Sequence, residues 1–343
     1  MNRVVRFHTY GGPEVLRIED ELLPAPAAGE IQVRLEAIGL NRAEAAFRAG
    51  HYLEPAQFPS RLGYEASGIV AAVGAEVAGF APGDAVCIIP ALSMSRHGVY
   101  AESVNVPAGA VLKRPDGLDA ESAAALWMAY LTAYGALVDI GRLAPGDAVL
   151  ITAPSSSVGL AAIQIANHLG AIPIAVTRSP EKQQALLAAG ARHVLTPDSA
   201  EALSEAVWQA TAGQGARLAF DPVAGPGVAA LAESLAPGAC LVIYGNLSGA
   251  GEATPFPFRS AIGKGLSLRG YLVFEIIRDP RRLAAAESFI RDALSRGAIR
   301  PTIARRFAFD DIVAAHRYLE SNQQLGKVVV SLLPPPPPGS HPC

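Results

Sequence analysis

Short apolar runs separated by glycine and proline fill the first third of the chain. Four of them are IQVRLEAIGL (31–40), ASGIVAAVG (66–74), DAVCIIP (84–90) and YAESVNVP (100–107). Runs of this length between turn residues are typical of β-strands. The pattern from Val4 to Val111 therefore predicts an all-β unit.

From Asp147 to about Gly270 the pattern changes to strands that alternate with helical stretches. Runs such as AVLIT, IPIAV, ARLAF and ACLVIYG alternate with segments whose apolar residues have helical spacing, and LSLRGYLV (266–273) ends the series as a last strand. Glycine favours the left-handed residue that ends a helix. Four glycines are expected to end helices here, namely Gly170, Gly190, Gly213 and Gly238. The alternation predicts parallel strands in a doubly wound α/β sheet.

The remaining residues predict two amphipathic helices and a closing strand. RDPRRLAAAESFIRDALSRGAIRP (278–301) has helical spacing, and DDIVAAHRYLESNQQL (310–325) is followed by the strand-like GKVVVSLL. The segment PPPPPGSHPC (334–343) is of low complexity and is expected to be extended or disordered.

The composition is that of a globular chain with two domains. Its 343 residues are 50% hydrophobic, which is enough for one large or two moderate cores. Three distant cysteines without a CxxC pair predict neither a disulfide framework nor a structural zinc site. The formal net charge of −3 disfavours nucleic acid as a partner, and no apolar run is long enough to span a membrane. We therefore expect a cytoplasmic protein.

The segment DAVLITAPSSSVGLAAIQIANHLG (147–170) has the form of a nucleotide-binding turn. Such a site needs a strand, a tight turn whose backbone approaches the pyrophosphate, and a helix whose N-terminus points at it. The small side chains of Ser155, Ser156 and Ser157 allow this approach, and Gly159 lets the helix pack on the sheet. Serines stand where the usual GxGxxG motif has glycines, so a turn without a ligand remains the alternative.

The residues after the second strand indicate which dinucleotide is bound. An NAD site usually has Asp or Glu there, whereas a 2′-phosphate needs cationic and hydroxyl donors. Thr177, Arg178, Ser179 and Lys182 supply the second set, so NADPH is the predicted cofactor. Glu181 in the same loop leaves open that these are ordinary solvated charges.

The chain as a whole resembles the medium-chain dehydrogenase/reductase superfamily, and within it the zinc-independent quinone oxidoreductases and enoyl reductases. The segments that carry the resemblance keep the family order from end to end. They are GGPEVLRIED (11–20), IGLNRAEAAFRAGHY (38–52), LGYEASGIVAAVG (62–74), APGDAV (81–86), YLTAYGAL (130–137), the nucleotide turn, FDPVAG (220–225) and GKVVV (326–330).

The resemblance implies an α/β fold, with a Rossmann doubly wound parallel sheet domain and a GroES-like β domain. We expect residues 1–122 to form the N-terminal part of the GroES-like catalytic domain and residues 123–268 the Rossmann NADP-binding domain. Residues 269–333 would complete the catalytic domain, and residues 334–343 would be a disordered proline-rich tail. The resemblance also implies a homodimer made by joining Rossmann sheets at LSLRGYLV (266–273).

Three positions of the resemblance bear on metal chemistry. Zinc alcohol dehydrogenases of the superfamily hold a catalytic metal through cysteine, histidine or a carboxylate, and a second cysteine. This chain has Asn41, Tyr64 and Met128 at the matching positions, which cannot form such a site. We therefore expect no metal cofactor.

The resemblance implies roles for a small set of polar residues. Tyr52 matches a tyrosine placed over the nicotinamide, whose phenol would donate to the substrate oxygen. Asn41 matches an asparagine that contacts the cofactor ribose or the substrate oxygen, and Thr132 a threonine near the nicotinamide carboxamide. The implied cofactor contacts are completed by Val158, Gly245, Asn246 and Lys327. Packing remains the alternative for Tyr52, and turn formation for Asn41.

Without a metal, a hydride has to be delivered to an acceptor that is already electrophilic, and the oxygen that gains charge needs a donor. We therefore expect an NADPH-dependent, zinc-independent oxidoreductase. Its substrate would be a small molecule, either a quinone or a compound with the activated C=C of an α,β-unsaturated carbonyl. The alternatives are a zinc-free carbonyl reductase and an NADPH-binding protein with little turnover, as among crystallin-like relatives.

Overall fold

The computed structural model describes residues 1–333, and the predicted disordered tail, 334–343, lies outside this range. Internal contacts divide the chain into two units. Within the described range, the first consists of residues 1–128 and 302–333, and the second of residues 129–301. Residues 269–301, which we expected in the catalytic domain, therefore group with the second unit.

Strands and helices are assigned over the described range. The strands are β1 (Asn2–Arg6), β2 (Arg17–Glu21), β3 (Glu30–Leu40), β4 (Glu65–Val73), β5 (Ala85–Ile88), β6 (Ser103–Pro107), β7 (Val111–Lys113), β8 (Ala148–Thr152), β9 (Ile172–Val176), β10 (His193–Leu195), β11 (Ala216–Asp221), β12 (Leu235–Ile243), β13 (Ser267–Gly270), β14 (Ile303–Ala308) and β15 (Lys327–Ser331). The α-helices are α1 (Arg42–Arg48), α2 (Met94–His97), α3 (Ala120–Ala124), α4 (Trp127–Tyr134), α5 (Ser157–His168), α6 (Gln183–Ala188), α7 (Ala200–Ala210), α8 (Val228–Glu233), α9 (Phe258–Lys264), α10 (Phe274–Ile277), α11 (Pro280–Ser295) and α12 (Ile312–Glu320).

The first unit is built on a seven-stranded sheet. Six of its strands follow the order β14-β15-β3-β4-β5-β7, and β6 pairs with β3. Strand β3 alternates buried and less buried residues, with Ile31, Val33 and Leu35 facing the core. This period of two is that of a strand with one covered face. The expected β unit is thus present, although α1 and α2 interrupt it.

The second unit is a parallel sheet of six strands in the order β10-β9-β8-β11-β12-β13. All five residues of the central strand β8 are buried, as expected where helices cover both faces of a parallel sheet. The order places strands on both sides of β8, which is the arrangement of a doubly wound Rossmann sheet. The predicted fold class is confirmed by this topology.

Two local predictions in this unit were wrong. The helix expected to end at Gly238 ends at Glu233, and Gly238 lies inside β12 with a φ of 70°. Pro237 cannot donate to a helix, and the pairing of β11 with β12 shifts register in this region. The strand expected over residues 266–273 is only four residues long, because the chain turns after Gly270 toward α10.

The hydropathy of the helices bears on whether the chain could span a membrane. None of the helices within residues 1–333 combines the length and the apolar character that a membrane span requires.

Candidate active site

The N-terminus of α1 is organised by Asn41 and Glu44. Asn41 precedes the helix in extended conformation, and Glu44 is its third residue. The backbone N–H of Asn41 donates to Glu44 Oε2, and the backbone N–H of Tyr64 donates to Glu44 Oε1 at 3.2 Å. A carboxylate three residues after the capping residue satisfies donors that the helix itself leaves unpaired. Glu44 therefore ties the start of α1 to the segment that carries Tyr64.

Lys327, from the last strand β15, contacts Asn41 and a second buried carboxylate, Glu65. Its ammonium donates to Glu65 Oε1 and, at 2.6 Å, to Asn41 Oδ1, and the side chains of Lys327 and Glu65 are each 1% exposed. The backbone N–H of Met128 donates to Glu65 Oε2 at 2.9 Å. Two of the three N–H donors of the Lys327 ammonium are used in these bonds, and its expected contact with the cofactor stays a prediction.

The amide of Asn41 is held from both sides. Its Nδ2 donates to the Gly39 carbonyl at 3.2 Å and to Glu44 Oε1 at 3.1 Å, while its Oδ1 accepts from Lys327. An amide group has two N–H donors and two lone pairs on its oxygen. Both donors of Asn41 are therefore used, and its oxygen retains one lone pair for a further donor.

Burial changes the pKa of a carboxyl group in this cluster. It raises the pKa of Glu44 to about 7, although the Lys327 charge and the hydrogen bond from Asn41 act in the opposite direction. Glu65 also raises the pKa of Glu44 through like-charge repulsion. Two carboxylates and one ammonium thus share a site without access to water.

Tyr52 and Tyr64 lie beside this cluster in the same unit. Their ring centroids are 6.2 Å apart, and Tyr52 also packs edge-on against Phe47 at 6.4 Å. Burial raises the pKa of Tyr52 to about 12, and the charges of Glu44 and Glu54 act in the same direction. Tyr52 is consequently a neutral phenol that can donate a hydrogen bond at physiological pH.

The predicted nucleotide turn lies in the second unit between β8 and α5. The Ser156 hydroxyl accepts from the backbone N–H of Gly159 at 3.0 Å, which caps α5, and Ser157 and Val158 form the first turn of the helix. A Cβ on Gly159 would lie 2.6 Å from Pro154 Cα, so only glycine allows α5 to approach the turn this closely. The first N–H groups and the positive dipole end of α5 therefore lie at the end of β8, where an anion is favoured.

The residues that follow β9 lie next to this turn. Lys182 donates to the Ser155 hydroxyl at 3.1 Å, and the Ser179 backbone N–H donates to Thr177 Oγ1 at 3.1 Å. Arg178 is exposed. Burial lowers the pKa of Lys182, and Glu181 partly offsets this effect. Hydroxyl and cationic groups that suit a phosphate thus collect at the end of β9.

The remaining predicted residues of this unit lie at other places in it. Gly245 and Asn246 follow β12 and are exposed, and Asn246 Oδ1 accepts from the Gly251 backbone N–H at 2.8 Å. Thr132 lies on α4 and is buried. Asn41, Tyr52 and Lys327 belong to the first unit, whereas all the other predicted site residues belong to the second.

The donor set does not suit a catalytic zinc ion. Asn41, Tyr64 and Met128 offer an amide, a phenol and a thioether, and zinc sites in proteins are built from thiolate, imidazole and carboxylate ligands. The carboxylates nearby are bound to Lys327 and to backbone N–H groups. Across residues 1–333, no group of three or more Cys, His, Asp or Glu side chains has the arrangement of a metal site.

Sequence reasoning missed Glu44 and Glu65. The spacing of Asn41 and Glu44 is a capping-box pattern that could have been recognised. No sequence signal links Glu65 to Lys327, which are far apart in the chain and meet only through the sheet order β15-β3-β4.

Comparisons with known proteins place this geometry in a family. Residues 27–116 match the alcohol dehydrogenase GroES-like domain, and residues 157–290 match the zinc-binding dehydrogenase domain. A quinone oxidoreductase of Pseudomonas aeruginosa is 33% identical over 96% of this chain and 99% of its own length. A 2-haloacrylate reductase of a Burkholderia species is 28% identical over 94% of this chain and 97% of its own.

Solved structures extend the similarity to the whole fold. The Escherichia coli quinone oxidoreductase in complex with NADPH aligns with a TM-score of 0.87 and 30% identity, covering 96% of this chain and all of the other. Both domain matches and the full-length similarity agree with the segments that suggested the resemblance. The chain therefore belongs to the medium-chain dehydrogenase/reductase superfamily, in its zinc-independent quinone oxidoreductase and enoyl reductase branch.

Proposed function

We propose that this oxidoreductase is an NADPH-dependent, zinc-independent reductase of a quinone or of the activated C=C of an α,β-unsaturated carbonyl compound. The observation that carries the proposal is the cluster in the metal position, where Glu44, Glu65 and Lys327 hold Asn41 and the backbones of Tyr64 and Met128. These residues offer no Lewis acid to polarise an unactivated carbonyl. An acceptor that is already electrophilic needs only a hydrogen-bond donor for the oxygen that gains charge.

NADPH is the cofactor that the residues of the second unit fit. Ser156 caps α5 at the nucleotide turn. At the end of β9, cationic and hydroxyl groups are provided by Arg178, Ser179 and Lys182. Such donors favour a ribose 2′-phosphate over free ribose hydroxyls. NADPH, when bound, supplies a hydride from its nicotinamide ring. The similar quinone oxidoreductase of Escherichia coli was solved with this cofactor.

We assign different roles to Tyr52 and Asn41. The neutral phenol of Tyr52 donates a hydrogen bond, and then a proton, to the substrate oxygen. Both donors of Asn41 are already used, so this side chain accepts a hydrogen bond through Oδ1. An accepting oxygen suits a ribose hydroxyl of the cofactor and not a developing enolate. Thr132 remains assigned to the nicotinamide carboxamide.

We also propose a cytoplasmic homodimer formed along the edge strand β13. Phe256, Phe258 and Ile262, which precede this strand, are 63–66% exposed. Large apolar side chains exposed together are typical of an interface. An edge strand offers unpaired backbone groups to a second copy. The few scattered cysteines fit a reducing compartment.

The test is an acceptor panel with EDTA present. NADPH binding is measured by fluorescence, and its oxidation is followed by absorbance with benzoquinone, phenanthrenequinone, a linear enone, an enoyl thioester and an aldehyde. We expect oxidation with a quinone, the enone or the thioester and much slower oxidation with the aldehyde. Preference for the aldehyde would support a carbonyl reductase, and binding without oxidation of NADPH by any acceptor would support a binding protein.

A further inference from the structure

The side chain of Asn41 lies between two opposite charges. Its Nδ2 donates to Glu44 Oε1 at 3.1 Å, and its Oδ1 accepts from the Lys327 ammonium at 2.6 Å. One end of an amide group donates hydrogen bonds, and the other end accepts them. A reversed amide would place its oxygen against the carboxylate and its NH2 group against the ammonium. The charges of Glu44 and Lys327 therefore determine which way the Asn41 amide faces.

Glu44 holds the backbone of Asn41 as well as its side chain. Glu44 Oε2 accepts from the Asn41 backbone N–H, and Glu44 Oε1 also accepts from the Tyr64 backbone N–H at 3.2 Å. The carboxylate thus accepts from three N–H groups, of which Asn41 supplies two. An ionised carboxyl group has two oxygens that only accept, so it suits this set of donors.

Water has little access to these groups. Glu44, Glu65 and Lys327 are at most 1% exposed, whereas Asn41 is 8% exposed. Hydrogen bonds to charged groups are stronger in such surroundings than in water, because the dielectric constant is low. Asn41 has the largest exposed fraction of these four residues, so it is the one that a ligand reaches most easily.

The ionisation of Glu44 depends on burial and on two neighbouring charges. Burial has the largest effect and raises the pKa of Glu44 to about 7. Lys327 on β15 lowers this pKa, and Glu65 on β4 raises it. The carboxylate form therefore prevails at about pH 8, and the protonated form at about pH 6.

Other titratable groups near Glu44 do not share this pH range. Three tyrosines interact with it electrostatically, namely Tyr52, Tyr64 and Tyr100. Burial raises the pKa of each, so all three are neutral at physiological pH. Helix α12 packs against α1, and its side chains His316 and Glu320 bond to Arg48.

We propose that Glu44 is a positioning residue for NADPH binding: its carboxylate fixes the Asn41 amide so that Oδ1 stays available to accept from a ribose hydroxyl. This role rests on the proposed function, in which Asn41 accepts from the cofactor. When Glu44 takes up a proton, one of its oxygens becomes a donor, and its hold on Asn41 weakens. NADPH affinity should therefore fall as Glu44 becomes protonated.

Glu44→Gln tests this role because glutamine has one acceptor oxygen where glutamate has two. In every orientation its NH2 group meets an N–H donor of Asn41 or Tyr64. Loss of one hydrogen bond to the ribose should raise the Kd for NADPH about two- to tenfold at about pH 8, measured by fluorescence titration. In an Asn41→Ala background the same change should have no further effect, as a double-mutant cycle requires for coupled residues.

Glu21→Gln is the matched control. The Glu21 side chain is 9% exposed and pairs with Arg6 and Arg61, so this variant also removes the charge of a largely buried carboxylate in the first unit. It should keep the wild-type Kd for NADPH. A loss of affinity in both variants would show a general effect of charge and not the positioning of Asn41.

A second measurement leaves Glu44 unchanged and so remains decisive if Glu44→Gln does not fold. The Kd for NADPH is measured for the wild type and for Asn41→Ala at about pH 8 and about pH 6. Protonation of the 2′-phosphate of NADPH affects both proteins alike and cancels in their ratio. The wild type should bind more tightly at about pH 8, and its advantage should narrow at about pH 6, where Glu44 is protonated.

Three results would overturn the role of Glu44. They are a wild-type Kd in Glu44→Gln, equal losses in both backgrounds, and an advantage of the wild type over Asn41→Ala that does not change with pH. A wild type that does not bind NADPH would instead overturn the proposed function. A wild-type Kd in Asn41→Ala would overturn the role given there to Asn41, and that of Glu44 with it.

Discussion

Tyr52 combines a buried ring with a hydroxyl that the proposed reaction uses, and Tyr52→Phe separates these two contributions. The variant keeps the contact with Phe47, so NADPH binding should be unchanged. Because general-acid catalysis is lost, kcat on an enone should fall by about ten- to a thousandfold. The loss on a quinone should be smaller, since a hydroquinone oxygen can take protons from water. Steady-state kinetics on both acceptors measure this, and an unchanged kcat on the enone would reduce Tyr52 to a packing residue.

Arg178 is predicted to discriminate between the two nicotinamide cofactors. Arg178→Ala removes an exposed cation at the end of β9, so the KM for NADPH should rise about tenfold while that for NADH changes little. Arg192→Ala is the control, because Arg192 is also exposed but its backbone pairs with Pro173 near the start of β9. Equal KM changes for both cofactors in Arg178→Ala would remove the 2′-phosphate assignment.

Individual residues were predictable where a local pattern carries the information. The position of the cations after β9 could be predicted because they directly follow the second strand of the Rossmann sheet, and their contact with the ribose phosphate stays a prediction. The partner of Lys327 could not be predicted, because Glu65 is far away in the sequence and is brought to Lys327 by the pairing of β15 with β3 and of β3 with β4. The contact between Tyr52 and Tyr64 likewise depends on two loops whose paths no local pattern determines.

At the scale of elements, the approach of α5 to the nucleotide turn depends on Gly159. In Gly159→Ala the new Cβ meets the backbone of Ala153 and Pro154 at 2.6–2.7 Å, so the helix must move away. We expect a loss of about 1–3 kcal/mol in the free energy of unfolding, as overpacking usually causes, and weaker NADPH binding. Urea denaturation and a fluorescence titration measure the two effects.

Gly263→Ala in α9 is the matched control for this change. Its Cβ would meet no atom within 4 Å, and alanine favours a helix over glycine by about 1 kcal/mol. This variant should be as stable as the wild type or slightly more so, with unchanged NADPH binding. If both variants behaved alike, the close packing of α5 on its turn would not matter.

A buried histidine links α12 to α1. Arg48 donates to His316 Nδ1 at 2.8 Å and to Glu320 Oε1 at 2.8 Å, and His316 Nε2 lies 3.2 Å from the Tyr100 hydroxyl. Burial lowers the pKa of His316 from 6.5 to about 3, and the Arg48 charge adds to this effect. Below pH 6.5 the unfolded chain binds a proton on His316 that the folded protein does not bind. The stability that neutral His316 contributes is therefore fully present above pH 6.5 and is lost as the pH falls toward 3.

His316→Asn tests this linkage because its side-chain oxygen can still accept from Arg48 while it does not titrate. The variant should be less stable than the wild type at about pH 8, and the gap in unfolding free energy should narrow by about 2 kcal/mol at about pH 5. Glu44 has a raised pKa and acts in the opposite direction, but it is present in both proteins and cancels in the comparison. A gap that stays constant over this range, measured by urea denaturation, would contradict the neutral state of His316.

Elements were predicted well where periodicity and boundary signals agree. The strands β8 and β9 and the helix α5 follow the sequence pattern, because buried parallel strands form continuous apolar runs. Gly238 shows the limit of this reasoning. The Ala-Pro-Gly segment before Ala239 predicts a helix end, yet it belongs to β12, because pairing with β11 outweighs a local turn signal.

For the whole molecule, the prediction concerns assembly. Ile262→Asp places a charge on the apolar surface beside β13, where Ile262 is 66% exposed, and should shift the protein from dimer to monomer. Leu22→Asp makes the same change at a side chain that is 84% exposed in the first unit and should leave the dimer intact. Sedimentation velocity measures both. A monomeric wild type would exclude the dimer. An Ile262→Asp variant that stays dimeric would show that the interface lies elsewhere.

The overall architecture was accessible from sequence because the order of strand-rich and alternating segments determines it. The domain to which the C-terminal residues belong was not accessible from sequence. Residues 269–301 were expected in the catalytic domain but group with the second unit. The longer helix of this segment, α11, has an amphipathic pattern that predicts a helix. A pattern of this kind does not show which sheet an apolar face covers.

The position of the transferred hydride tests the proposed function most directly. The protein is incubated with EDTA, NADPH deuterated at its hydride-donating carbon and a conjugated enone, and the product is analysed by NMR. The enone offers both an activated C=C and a carbonyl group, so the label distinguishes the two reactions within one molecule. We predict a saturated ketone with deuterium on its β-carbon. An allylic alcohol with deuterium on the former carbonyl carbon would contradict this function.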